Sequence, residues 1–82
     1  REKNRHYLQI RTDDDRKAAF VLEQQCGIRD YRIHEPGLIR VYERLGESGR
    51  INTALVQAGV EVAELSIQRD MLEDFFLKLT GG

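Results

Sequence analysis

From His6 to Arg11 apolar and polar positions alternate, with Leu8 and Ile10 on one side and Tyr7, Gln9 and Arg11 on the other. That is the period of a half-buried strand. Thr12-Asp13-Asp14-Asp15 comes next, and its carboxylates and cap-forming side chains suit the unpaired N–H groups and positive dipole end of a helix N-terminus. The pattern then becomes helical to about Gln25. Ala18, Ala19, Val21, Leu22 and Cys26 fall on one side of the helical wheel, and Gly27 stands where the chain leaves a helix in a left-handed conformation. Phe20 points away from that side.

Tyr31 to Glu35 and Leu38 to Glu43 alternate again and flank Pro36-Gly37, a dipeptide suited to a type II turn, so they predict a hairpin. After the loop Gly46-Glu47-Ser48-Gly49, which ends on a capping signal, Ile51, Ala54, Leu55 and Ala58 recur at helical spacing up to Gly59. Val60 and Val62 open a fourth strand. Ala63, Leu65 and Ile67 fall out of phase with them, which predicts a bulge or a strand covered on both sides near Ala63. Asp70 with Glu73 forms a capping-box pair before a last helix, whose apolar stripe is Leu72, Phe75, Phe76 and Leu79.

The predicted order is strand, helix, strand, strand, helix, strand, helix. With right-handed crossovers this is an α+β fold, a ferredoxin-like β-α-β-β-α-β antiparallel sheet with two helices on one face and an additional C-terminal helix. That last helix needs a surface of its own, whether the open sheet face, the helical layer or a partner, and its own domain is the favoured site. Arg1-Glu2-Lys3-Asn4-Arg5 reads as a linker remnant, and residues 6–82 as one domain, a piece of a longer chain.

Composition narrows the function. The 82 residues are 33% charged and 40% apolar, which is the balance of a folded domain and not of a disordered tract. No apolar run approaches the roughly 20 residues of a membrane-spanning helix. A net charge of -1 with interspersed signs offers no broad attraction to nucleic acid or anionic lipid. The single Cys26 cannot form an internal disulfide, in keeping with a reducing compartment.

Catalytic signatures are absent from the sequence. It contains no G-x-x-x-x-G-K-[ST] phosphate loop and no G-x-G-x-x-G, so neither tight nucleotide binding nor hydrolysis is expected of it. Cys26, His6 and His34 lack metal-ligand spacing, and both histidines are expected to face solvent. Asp13, Asp14 and Asp15 lack the D-x-D-x-D-G spacing of a calcium loop and read as helix-capping residues. Tyr7, Tyr31 and Tyr42 lie on predicted strands, where some sheets of this topology stack RNA bases. Leu38 to Glu43, however, lacks the glycine-aromatic pattern of that module. What remains is surface: Phe20, Val56 and Leu77 sit off the main stripes of their helices and are candidates for burial against a partner.

The C-terminal run Leu72-Glu73-Asp74-Phe75-Phe76-Leu77-Lys78-Leu79-Thr80 resembles the end of the small domain that follows the ATP-binding cassette in bacterial ABC transporter ATPases, notably drug and bacitracin-type exporters. Gly59-Val60-Glu61-Val62 is similar to that family's step into its last strand, and Ala54-Leu55-Val56-Gln57-Ala58 also fits. Phe75 stands where members usually have an aliphatic residue, and the first half matches only in its order of elements. The resemblance implies a noncatalytic accessory domain with no cofactor of its own. ATP and magnesium would belong to an N-terminal ATPase domain, with a second ATPase subunit and a membrane permease as partners at the cytoplasmic face. The alternative from another class is an ACT-like amino-acid sensor, although Thr12-Asp13-Asp14-Asp15 lacks the glycine such a site needs for close backbone approach.

Overall fold

A computed structural model describes residues 6–69. Its elements are β1 (His6–Thr12), α1 (Asp15–Gln24), β2 (Tyr31–Glu35), β3 (Leu38–Val41), α2 (Ser48–Gln57) and β4 (Val62–Arg69), with a 3₁₀ turn at Leu45–Glu47. The four strands form one sheet in the order β2-β3-β1-β4, and every neighbouring pair is antiparallel. The units β1-α1-β2 and β3-α2-β4 are therefore interleaved, each crossover helix passing over a strand of the other unit.

Register sorts the side chains onto two faces. Leu8 pairs with Val41 and Ile10 with Ile39, while the same two β1 residues meet Ile67 and Leu65 of β4. Directly opposed residues share a face. Leu8, Ile10, Ile39 and Val41 accordingly join Ala18, Val21 and Leu22 of α1 and Ile51 and Leu55 of α2 in one buried cluster, closed by Ile28 and Val60. The other face carries Tyr7, Gln9 and Arg11 of β1, Leu38 and Arg40 of β3, and Glu64, Ser66 and Gln68 of β4.

Both irregularities in the sheet have local causes. Arg11 pairs with Glu64 and Thr12 with Val62, leaving Ala63 as the extra residue of a bulge, where the break in apolar phase predicts it. A second shift between Ile33 and Glu35 leaves His34 extra on the edge strand. The hairpin turns at Pro36-Gly37, with Gly37 at φ 86°, the positive angle that the second central position of a type II turn requires.

Three boundaries differ from the sequence pattern. β3 stops at Val41 instead of continuing to Glu43, because the Glu43 carboxylate turns back to accept the backbone N–H groups of Arg29 at 2.6 Å and Asp30 at 3.0 Å. β4 begins at Val62 and not Val60. Val60 belongs to the end of α2, where its N–H reaches Leu55 O at 3.0 Å and the Gly59 N–H reaches Val56 O at 3.0 Å, with Gly59 at φ 89°. These are the paired bonds of a Schellman ending, and buried Val60 is its hydrophobic contact. Finally, α2 has no side-chain cap. The 3₁₀ turn feeds it directly, with the Glu47 N–H on Arg44 O at 3.0 Å, and the turn's own bonds take the place of the expected cap.

Candidate functional site

The three successive aspartates do three different jobs. Asp14 caps α1, its Oδ1 accepting the Lys17 N–H at 3.1 Å. Asp13 Oδ1 accepts the Glu61 N–H at 3.0 Å and ties the helix entry to the α2–β4 junction. Asp15 Oδ2 accepts the Gly37 N–H at 2.8 Å, and its Oδ1 accepts the Thr12 hydroxyl at 3.3 Å, holding the hairpin turn against the end of β1. The capping reading of this run holds for Asp14; Asp13 and Asp15 pin loops together. Among the described residues no group of three His, Cys, Asp or Glu side chains converges as a metal set would.

Tyrosines fall on both faces. Tyr31 packs against the helix-side cluster, and its hydroxyl donates to Glu23 Oε2 of α1 at 2.5 Å. That bond to a carboxylate, with burial second, pushes its pKa up to about 12. Tyr7 lies on the opposite face, where its ring is 5.7 Å from that of Tyr42 and under the Arg40 guanidinium at 4.7 Å. Tyr42 follows the end of β3 and Tyr31 lies on the other face from Tyr7, so the three tyrosines do not make one stacking platform.

Polar chemistry on the open face is concentrated over β1 and β4. Glu64 accepts from the Ser66 hydroxyl at 2.8 Å, from Arg11 Nε at 3.0 Å and from Gln9 Nε2 at 3.4 Å, while Gln68 donates to Ser66 Oγ at 2.9 Å. The Ser66 hydrogen bond leads in holding the Glu64 carboxyl below its usual range, with Arg11 and Gln9 adding to it. The Glu43 clamp does the same through the backbone N–H groups of Arg29 and then Asp30. These are satisfied structural carboxylates, not groups poised for proton transfer.

Elsewhere, a shallow cleft of about 570 Å³ lies between the end of α1 and α2, with Cys26, Arg44, Glu47 and Arg50 among its lining. Burial, with help from Glu47 and against Arg44, pushes the Cys26 thiol up, away from the nucleophilic thiolate. His6 and His34 are exposed. The groups described in this section do not, among the described residues, bring a nucleophile, a base and an oxyanion site together.

Surface apolar groups are the remaining candidates. Phe20 is 60% and Val56 56% exposed, as their off-stripe positions predict, while Leu77 and the motif residues Leu72, Glu73, Asp74, Phe75, Phe76 and Leu79 lie outside the described residues. Two more were missed in the sequence: Ile33 at 45% and Ile67 at 53% exposed. Both point to the helix side, but β2 and β4 are the sheet's edges, beyond the cover the helices provide. Strand order was the missing signal, since alternation alone marks Ile33 and Ile67 as core. The Glu23–Tyr31 bond shows α1 running beside β2. Phe20 lies one turn before Glu23 and Ile33 two residues after Tyr31, so these two exposed side chains fall along one edge, while Val56 and Ile67 belong to the α2 and β4 side.

Over all of its 82 residues the chain is 42% identical to the bacitracin transport ATP-binding protein BcrA of Bacillus licheniformis, of which it spans 27%. Its relatives are ABC transporter ATP-binding proteins. They include the uncharacterized ABC transporter ATP-binding protein YcbN of Bacillus subtilis strain 168, 30% identical over 82 residues and 27% of that protein. BcrA of Enterococcus faecalis is 31% identical over 81 residues, 26% of its length. The chain therefore spans about a quarter of the length of the curated relatives it matches. No family model and no solved structure matches it. The first half, which resembles the transporter family only in its order of elements, is covered by these matches along with the second. Among the described residues no helix is long and apolar enough to cross a membrane.

Proposed function

We propose that this chain is a noncatalytic accessory domain of an ABC exporter ATPase and acts through its surface. The observation that carries this reading is the match of the whole chain to about a quarter of proteins named for bacitracin transport and ATP binding, in a stretch whose own sequence has no phosphate loop. The remainder of the parent chain would hold ATP and magnesium and couple their hydrolysis to export of a bacitracin-like peptide. Partners follow from that arrangement: the parent's own ATPase domain, a second ATPase subunit, and the membrane permease at the cytoplasmic face. Among the described residues Phe20, Val56, Ile33 and Ile67 are exposed apolar groups available for such contacts, and Leu77, outside those residues, is the third candidate that the sequence offers.

The test uses both lengths of the protein. Titrated with magnesium ATP in a calorimeter, the 82-residue chain is expected to give no binding heat, while the parent chain binds and hydrolyses the nucleotide. Parent protein lacking residues 6–82 is expected to keep nucleotide binding but to lose dimerisation or bacitracin resistance. Nucleotide turnover by the isolated chain, or a deletion without effect on any of these readouts, overturns the reading. A rise in melting temperature with a free amino acid replaces it with the sensor alternative. A ligand at about 100 times its dissociation constant adds about 2.7 kcal/mol, well within detection.

A further inference from the structure

The two edges of the sheet are built differently. β2 is five residues long, slips register at His34 and runs into Pro36. Short length, a bulge and a proline are devices by which an edge resists a further strand. β4 has eight residues, and from Glu64 to Arg69 it pairs with β1 without a shift. That stretch contains no proline and no lysine, and Leu65 to Gln68 carry no charge. Among the described residues no strand lies on its outer side, so it presents a row of backbone N–H and C=O groups for pairing. We propose that β4 joins β4 of a second copy of this chain, antiparallel about a two-fold axis at Ser66, and that the two four-stranded sheets become one.

Self-complementarity selects a second copy as the occupant. Two antiparallel copies of this strand centred on Ser66 set Leu65 of each opposite Ile67 of the other, and Glu64 opposite Gln68. Directly opposed residues share a face. On the helix side the match is aliphatic against aliphatic and covers Ile67, which is 53% exposed. On the open side a carboxylate meets an amide. Gln68 gives one N–H to Ser66 Oγ and has a second to donate, and no like charges are opposed. The adjacent symmetric registers are poorer: centring on Ile67 sets Leu65 against Arg69, and centring on Leu65 draws the Ala63 bulge into the new ladder. α2 extends the match. It packs on β4 and turns Arg50, Thr53, Ala54 and Gln57 to the cleft beside α1, which at 3.6 residues per turn puts Val56 on the opposite flank, beside the β4 edge. The axis brings the two α2 helices alongside, roughly 10 Å apart across two strand spacings of ~4.8 Å, the distance of packed helices. Val56, 56% exposed, then meets its own counterpart in an isologous contact. The pairing rests on this edge and not on the transporter reading, and its failure leaves nucleotide binding by the parent chain untouched.

Sedimentation equilibrium of the 82-residue chain, with nuclear Overhauser measurements on a mixture of differently labelled copies, tests this. A dimer mass is expected, with cross-peaks between Leu65 methyls of one copy and Ile67 methyls of the other. Ile67→Lys is expected to give a monomer with an unchanged circular dichroism spectrum, since the side chain it replaces is exposed and a lysine on an edge strand opposes pairing. Should that variant fail to fold, Gln68→Glu supplies the matched one. It sets two carboxylates against each other at both symmetric contacts and is expected to weaken the dimer about tenfold, an effect that Glu64→Gln in the same chain reverses. A monomer at the concentrations used for the cross-peaks overturns the proposal. So does a dimer that a folded Ile67→Lys or Gln68→Glu chain retains at full strength. Inter-copy cross-peaks at Phe20 and Ile33 instead of Leu65 and Ile67 overturn it as well, as do cross-peaks from Ile67 to residues 70–82 of its own chain, since the edge is then covered from within.

Discussion

At the scale of single residues, several polar side chains are committed to structure, Asp13, Asp15, Glu23, Glu43 and Glu64 among them, and Tyr31 shows how that can be read in solution. Its hydroxyl donates to Glu23 Oε2, so ionising the phenol would place two anions side by side and break the bond. The folded state holds the proton to about pH 12, against an ordinary value of 10.0. Because the folded pKa is raised, the unfolded chain ionises first. The stabilisation is fully present below about pH 10 and fades as pH rises through the folded value of about 12. Phenolate absorbance of the native chain is therefore expected to have a step near pH 12 that Tyr31→Phe removes. Loss of amplitude near pH 10 instead, with the late step intact, would mean that the Glu23 bond does not form in solution.

At the scale of elements, the junctions matter more than the elements themselves, as the run Asp13-Asp14-Asp15 illustrates. Asp14→Ala removes an N-cap and is expected to cost about 1 kcal/mol. Asp15→Ala removes the acceptor of the Gly37 N–H and is expected to cost about 1–2 kcal/mol. Amide exchange separates the two: the Gly37 amide is expected to exchange faster in Asp15→Ala and unchanged in Asp14→Ala, and equal rates in both would remove the hairpin tie. The elements were legible in the sequence because each has a period. Leu8 and Ile10 alternate, Ile51 and Leu55 recur at helical spacing, and even the bulge at Ala63 leaves a phase slip. The ties were not legible. Whether Asp13 caps a helix or accepts the Glu61 N–H is decided by a residue far along the chain, and nothing in the local pattern encodes it. The shortened β3 has the same origin, since only the tertiary partners Arg29 and Asp30 explain why Glu43 leaves the ladder.

At the scale of the whole molecule, the described residues set two helices over a four-stranded sheet, and apolar side chains are left exposed on both edge strands. Isolated exposed apolar residues are ordinary, but Phe20 and Ile33 share an edge, and β2 presents unpaired backbone groups there as well. Phe20→Ser isolates that surface from the fold. The two residues have similar helix propensities, and a side chain 60% exposed contributes little to the core, so the melting curve of the 82-residue chain is expected to shift by less than the equivalent of about 0.5 kcal/mol. In the longer ATPase chain proposed above the outcome is expected to differ. If the ATPase domain or a second subunit covers this edge, amides of α1 and β2 exchange more slowly in the parent than in the isolated chain. Phe20→Ser then raises the parent's rates toward those of the isolated chain, because it removes an anchor of the contact without loosening the domain. Equal exchange in parent and isolated chain would leave this edge in water, and the search for the partner contact would move to Val56 and Ile67 on the α2 and β4 side.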